Sequence, residues 1–206
     1  MAELIFRYGA MNCGKSDQMI STAHNYTENG LKVVTIMPEI SMREPGFTTS
    51  RAGKKWPIDI ATHMASPERP SETDVYREFH QHVGKMAIHS VLVDEVNFMS
   101  AEQVEALERI AKVDGTTVIG HGIRTNIQRR LFEGTQRMFE LADKTEKIPT
   151  MCPCGQQAEF NGRFVDDVFH VGEPIVWIDN DDRVRYQSLC GSCYLENAAM
   201  PGAVAA

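Results

Sequence analysis

Apolar residues fall into short runs near the start of the chain, interleaved with stretches of helical spacing. Residues 4 to 8 (Leu-Ile-Phe-Arg-Tyr) form an apolar run that stops at Gly9, as a buried strand does. After a glycine-bounded loop, Met19, Ile20, Ala23 and Tyr26 recur at helical spacing between Ser16 and Glu28, with Asn29-Gly30 as the stop. Residues 32 to 37 are rich in β-branched side chains and end at Pro38, which predicts a second strand and a βαβ unit.

From Pro38 to Pro70 the chain carries repeated Pro and Gly with no sustained period, which predicts a long, flexible, hairpin-like excursion over 38–70. A short amphipathic helix follows near 72–82, with Val75, Tyr76 and Phe79 on one face. Residues 87 to 93 then read as a strongly apolar strand that ends in Asp94-Glu95. Ser100 and Gln103 have the spacing of a capping box at the head of a helix lined by Val104, Leu107 and Ile110. A strand over 116–120 and a helix around 135–142 complete the alternation, which is that of an α/β protein with a parallel sheet flanked by helices.

Beyond Asp143 the texture changes to short strand-like runs between turns. The boundary this predicts divides the chain into 1–145, 146–200 and a frayed tail, 201–206. The 206 residues carry 21 Lys+Arg against 28 Asp+Glu, a net charge of −7, so no basic surface suits the backbone of a nucleic acid. Residues 144–206 contribute 5 basic and 9 acidic side chains to that balance. No run of about 18 apolar residues is present, and the first residues lack a signal peptide's basic and apolar regions, so a cytoplasmic protein without membrane contact is expected.

Candidate chemistry sits in three places. Gly9, Ala10, Met11, Asn12, Cys13, Gly14, Lys15 and Ser16 spell G-x-x-x-x-G-K-S between a strand and a helix. Glycines there let backbone amides surround an oxyanion, Lys15 reaches the outer phosphates, and Ser16 can ligate Mg²⁺. Asp94 and Glu95 stand at the carboxyl end of a buried strand, where α/β sheets bind ligands. Asp94 suits ordering Mg²⁺ through water. Glu95 suits proton abstraction, from water in an ATPase or from a substrate hydroxyl in a kinase.

The third place is the cysteine quartet. Cys152 and Cys154 are separated from Cys190 and Cys193 by 35 residues of strand-like texture, the pattern of a closed structural Zn²⁺ ribbon. A lobe that small gains folding free energy from its metal.

Taken together, the chain resembles the type II thymidine kinases over nearly its whole length. The residues that carry the resemblance are the loop from Gly9 to Ser16, Ser50-Arg51-Ala52-Gly53, Asp94-Glu95-Val96-Asn97-Phe98, Gly122-Ile123-Arg124-Thr125-Asn126 and the cysteine pairs, with Tyr186 four residues before Cys190. The resemblance implies a P-loop (RecA-like) sheet, then a zinc-ribbon lobe with a substrate lasso. It also implies ATP-dependent phosphorylation of the 5′-hydroxyl of thymidine or a related pyrimidine deoxynucleoside. Glu95 is then the general base. Lys15 with Mg²⁺, held by Ser16 and through water by Asp94, neutralises the transferring phosphoryl group, and Arg51 and Arg124 remain alternative sources of further positive charge. Phe98 stacks on the base, with Met11, Ile123, Arg124, Thr125, Ile178 and Tyr186 in the nucleoside site. A homotetramer and feedback inhibition by the end-product triphosphate are implied as well.

Some positions depart from the family pattern. Ser41 replaces an Asp, Asn97 a Gln, His121 a Tyr, and Ile178-Asp179-Asn180 an I-G-G, in a lasso two positions longer than usual. An altered or broadened preference at the pyrimidine 5-position is expected from that loop. The rival reading, a zinc-containing P-loop ATPase acting on nucleic acid, predicts a basic surface that a charge of −7 does not supply.

Overall fold

The computed structural model describes residues 2–173, 183–200 and 202–204. Six parallel strands form the main sheet in the order β5-β2-β6-β7-β1-β8. They are β1 (Leu4–Gly9), β2 (Val33–Pro38), β5 (Ile60–Thr62), β6 (Ser90–Val93), β7 (Thr117–Ile123) and β8 (Lys144–Lys147). Between β2 and β5, β3 (Phe47–Thr49) and β4 (Lys55–Pro57) make an antiparallel hairpin.

Strand alternation divides the core between the two faces of the sheet. Ile5, Leu92 and Ile119 point to one face, where Met19, Ile20 and Ala23 of α1 (Lys15–Glu28) cover them. Leu4, Phe6, Val91, Val93 and Val118 point to the other. There they meet α2 (Val75–Val83), α3 (Ala101–Lys112) and α4 (Glu133–Leu141) through Phe79, Leu107, Ile110 and Met138. The Ser100–Gln103 capping box forms as the spacing predicts: Ser100 Oγ accepts from the Gln103 amide at 3.1 Å, and Gln103 Oε1 accepts from the Ser100 amide at 3.3 Å.

Two sheet strands went unread in the sequence. β5 is three residues long and lies inside the 38–70 excursion, which therefore supplies an edge strand as well as a hairpin. β8 (Lys-Thr-Glu-Lys) has no apolar signature, because it is an exposed edge beside β1, and it runs across the boundary expected at 145.

The ribbon lobe holds a second sheet, β10-β9-β11, built from β9 (Phe160–Val165), β10 (Val168–Phe169) and β11 (Val184–Leu189), with α5 (Gly191–Ala198) behind it. Its small core contains Ala158, Phe164, Phe169, Leu189 and Tyr194 together with Cys152 and Cys190. Near the end of the described residues the Val204 amide donates to Phe169 C=O at 3.0 Å and its carbonyl accepts from the Val171 amide at 2.9 Å. Among the described residues no helix is long and apolar enough to cross a membrane.

Candidate active site

Parallel strands present their carboxyl ends at one edge, and this edge gathers the candidate residues. β1 ends in the glycine-rich loop, β6 in Asp94-Glu95, and β7 in Ile123-Arg124-Thr125. Gly9 is required sterically: a Cβ there would lie 2.6 Å from Cys13 Sγ and 2.8 Å from the Ile148 carbonyl oxygen. Asn12 (φ 64°) and Gly14 (φ 80°) adopt left-handed backbone, turning the loop into the head of α1. Lys15 is buried, and its Nζ donates to Ala10 C=O at 3.3 Å.

A cavity of about 610 Å³ opens at this edge. Of the residues anticipated from sequence, Met11, Asn12, Gly14, Lys15, Ser16, Arg51, Glu95, Phe98, Ile123, Thr125 and Tyr186 line it. Gly9, Ala10, Cys13 and Asp94 are not among its lining residues. Ile178 falls in 174–182, outside the described residues.

Arg124 is not among the residues that line the cavity. Its Nη1 lies 3.3 Å from Glu159 Oε2 and its guanidinium 5.2 Å from the Phe160 ring centre, so it clamps the ribbon lobe. Of the two arginines anticipated as sources of positive charge, Arg51 is the one in the cavity wall.

Glu95 also has left-handed backbone (φ 51°), rare for a residue with a side chain and common where a site re-aims one. Burial raises its pKa above the ordinary carboxylate value; Lys15 works against this, and Asp94 adds to it. Asp94 is fully buried: its Oδ2 accepts from Thr48 Oγ1 at 2.7 Å and its Oδ1 from the Glu95 amide at 3.1 Å. Behind it, His121 is fully buried on β7 with Nδ1 3.3 Å from Val93 C=O, and burial pushes its pKa down to about 4.

Phe98 meets Phe132 edge-on at 5.4 Å between ring centres. The turn carrying it is pressed against α4, where a Cβ on Gly134 would fall 2.2 Å from Val96 C=O. Asn97 Oδ1 accepts from the Ile123 amide at 3.0 Å and Thr135 Oγ1 donates to Ile123 C=O at 2.7 Å, fixing the end of β7 beside Phe98.

Sequence reasoning did not single out three other features of the site: Arg43 and Asn161 in the cavity wall, and Thr48 against Asp94. Arg43 follows the Ser41 departure by two positions, which was the one available signal. Asn161 and Thr48 act through tertiary pairing and have no local pattern.

In the ribbon lobe the sulfurs of Cys152, Cys154, Cys190 and Cys193 lie within 4.8 Å of one another and form no disulfide. The Cys193 amide donates to Cys190 Sγ at 3.5 Å, as in a metal knuckle. At Cys152 burial favours the thiol, but backbone hydrogen bonds from Cys154 and Cys190 and side-chain hydrogen bonds from Cys154 and Cys193 together outweigh it and draw the pKa down to about 7. Four soft donors in one closed cluster fit a tetrahedral Zn²⁺ with no position left for substrate.

Comparison with known proteins agrees with this architecture. The thymidine kinase family model matches residues 2–194. Thymidine kinase of Enterobacteria phage T4 is 35% identical over 92% of this chain and 94% of its own length. The thymidine kinase of Haemophilus influenzae strain Rd is 33% identical over 93% and 99%, and that of Chromobacterium violaceum 36% over 94% and 98%. A Pif1 helicase crystal structure from Candida albicans superposes with a TM-score of 0.40 at 12% identity, covering 71% of this chain and 36% of that one, too loosely to bear on fold or activity. With a family match over nearly its full length and a phosphate loop, acidic strand end and cysteine quartet in one fold, this chain belongs to the thymidine kinase family.

Proposed function

We propose that the chain transfers the γ-phosphoryl group of ATP to the 5′-hydroxyl of thymidine or a related pyrimidine deoxynucleoside. The carrying observation is the shared cavity: Lys15 and Ser16 of the phosphate loop line the same 610 Å³ volume as Phe98, Thr125 and Tyr186, with Glu95 among them. Loop amides and Lys15 hold the phosphates, and Arg51 adds positive charge where the phosphoryl group moves. Glu95, made more basic by burial, accepts the hydroxyl proton as the 5′-oxygen bonds to phosphorus and the bridging oxygen leaves with ADP. Phe98 stacks on the pyrimidine, while Met11, Ile123 and Thr125 enclose it.

Ser16 would hold Mg²⁺ directly and Asp94 through water, and the ion when bound offsets phosphate charge. Zn²⁺ on the four cysteines serves folding. A homotetramer in the cytoplasm, inhibited by the end-product triphosphate, belongs to the same proposal. The reading as a zinc-containing ATPase on nucleic acid is not favoured, given the named relatives and a net charge of −7.

A panel of deoxynucleosides with labelled ATP tests the reading. Label is expected on thymidine or a 5-substituted deoxyuridine. Label released only as phosphate, with stimulation by single-stranded DNA, would overturn it.

A further inference from the structure

We propose that Asn161 is a positioning residue that ties the phosphate loop to the Thr125 segment across the cavity, so that the ribbon lobe sets the geometry of both. The inference rests on reading Gly9–Ser16 as the ATP phosphate loop. Asn161 lies on β9 and is 3% exposed. Its Oδ1 accepts from the Met11 amide at 2.7 Å and its Nδ2 donates to Thr125 C=O at 3.3 Å. These partners fix which end of the amide faces which loop, because an N–H needs an acceptor and a carbonyl a donor.

Ser188 stands opposite Asn161 in the β9–β11 register, and its Oγ donates to Met11 C=O. Both backbone polar groups of Met11 are thus held by side chains from two neighbouring ribbon strands. Met11 lies between the end of β1 and the start of α1, beyond the partners that sheet and helix provide. Asn12, the next residue, takes left-handed backbone, so the loop's shape depends on an outside hold.

The two contacts separate by their consequences. Ser188 holds Met11 alone, whereas Asn161 holds Met11 and the Thr125 segment together. Ser188→Val and Ser188→Thr differ only in the hydroxyl. The valine variant is expected to raise the KM for ATP by about fivefold, the cost of one neutral hydrogen bond, with threonine restoring the parent value. Asn161→Ala is expected to raise both KM values by about fivefold or more. The double variant should raise the ATP KM by less than the product of the single effects, since both act on Met11.

Zinc content and melting temperature, measured on the same samples, show whether the ribbon remains folded. Should Asn161→Ala lose its zinc, the Ser188 pair decides. Equal ATP KM values for Ser188→Val and Ser188→Thr, or a zinc-bearing Asn161→Ala with both KM values unchanged, would overturn the proposal. If the parent phosphorylates no nucleoside, the kinase reading fails instead, and ATP-dependent melting shifts of the same variants still test the hold on Met11.

Discussion

The hydroxyl of Thr48 donates a 2.7 Å hydrogen bond to Asp94 Oδ2, joining the β3–β4 hairpin to the acidic end of β6. Both side chains are buried, at 1% and 0% exposure, so neither has water as a substitute partner. The same hairpin is tied to α1, where Lys54 Nζ lies 3.0 Å from Asp17 Oδ2. A segment that reads as a flexible excursion thereby orients a carboxylate beside the phosphate loop.

Thr48→Val leaves a buried charged oxygen unpaired. Stability should fall by about 1–3 kcal/mol, and Thr48→Ser should recover most of the loss. Urea unfolding of the three proteins at fixed Mg²⁺ concentration makes the comparison; equal midpoints for valine and serine would refute the role.

Glu95→Gln and Lys15→Ala separate chemistry from binding. The glutamine variant should lose about 10²–10⁴-fold in turnover while ATP still raises its melting temperature. The alanine variant should lose that rise, which at ligand a hundredfold above Kd corresponds to about 2.7 kcal/mol. A full ATP shift in Lys15→Ala would mean that phosphate is held elsewhere.

The cysteine quartet predicts about one Zn²⁺ per chain by elemental analysis. Replacing exposed Cys154 with serine should lower both zinc occupancy and melting temperature, since the metal contributes to folding of the small lobe. Zinc-free protein as stable as the zinc-bearing form would exclude that contribution.

His121 predicts an acid-side loss of stability. Its folded pKa of about 4 lies below the ordinary histidine value, so folding favours the neutral ring. Stability is therefore intact above about pH 6.5 and falls by up to about 1.4 kcal/mol per pH unit below it, as only the unfolded chain takes up the proton. His121→Gln should flatten the difference between pH 7 and 5 in chemical unfolding. Parallel pH dependences in parent and variant would assign the loss to other groups.

Much of this was legible in the sequence because it rests on local pattern. The strand ending at Gly9, the capping box at Ser100 and the Lys15 and Glu95 positions follow from spacing and neighbouring residues. β5 and β8 were illegible because they are short edge strands, ordered by pairing with β2 and β1 rather than by apolar alternation. Arg124 likewise has a partner that no local pattern reveals. Its position matches a nucleoside-site motif, but Glu159 on the ribbon lobe captures its guanidinium. Thr48, Asn161 and Ser188 are ordinary polar residues whose partners lie far away in the chain, so only the fold reveals them.

The hold on Met11 also has a temporal side. β1 emerges before the other strands during synthesis, yet its sheet neighbours are β7 and β8, and Leu4 bonds to Asp143 across a separation of 139 residues. Met11 waits longer still, for Asn161 at a separation of 150 and Ser188 at 177. Contacts this distant in sequence form late and slow folding. A product that stops before Asn161 and Ser188 would carry the loop's glycines and lysine without these two contacts.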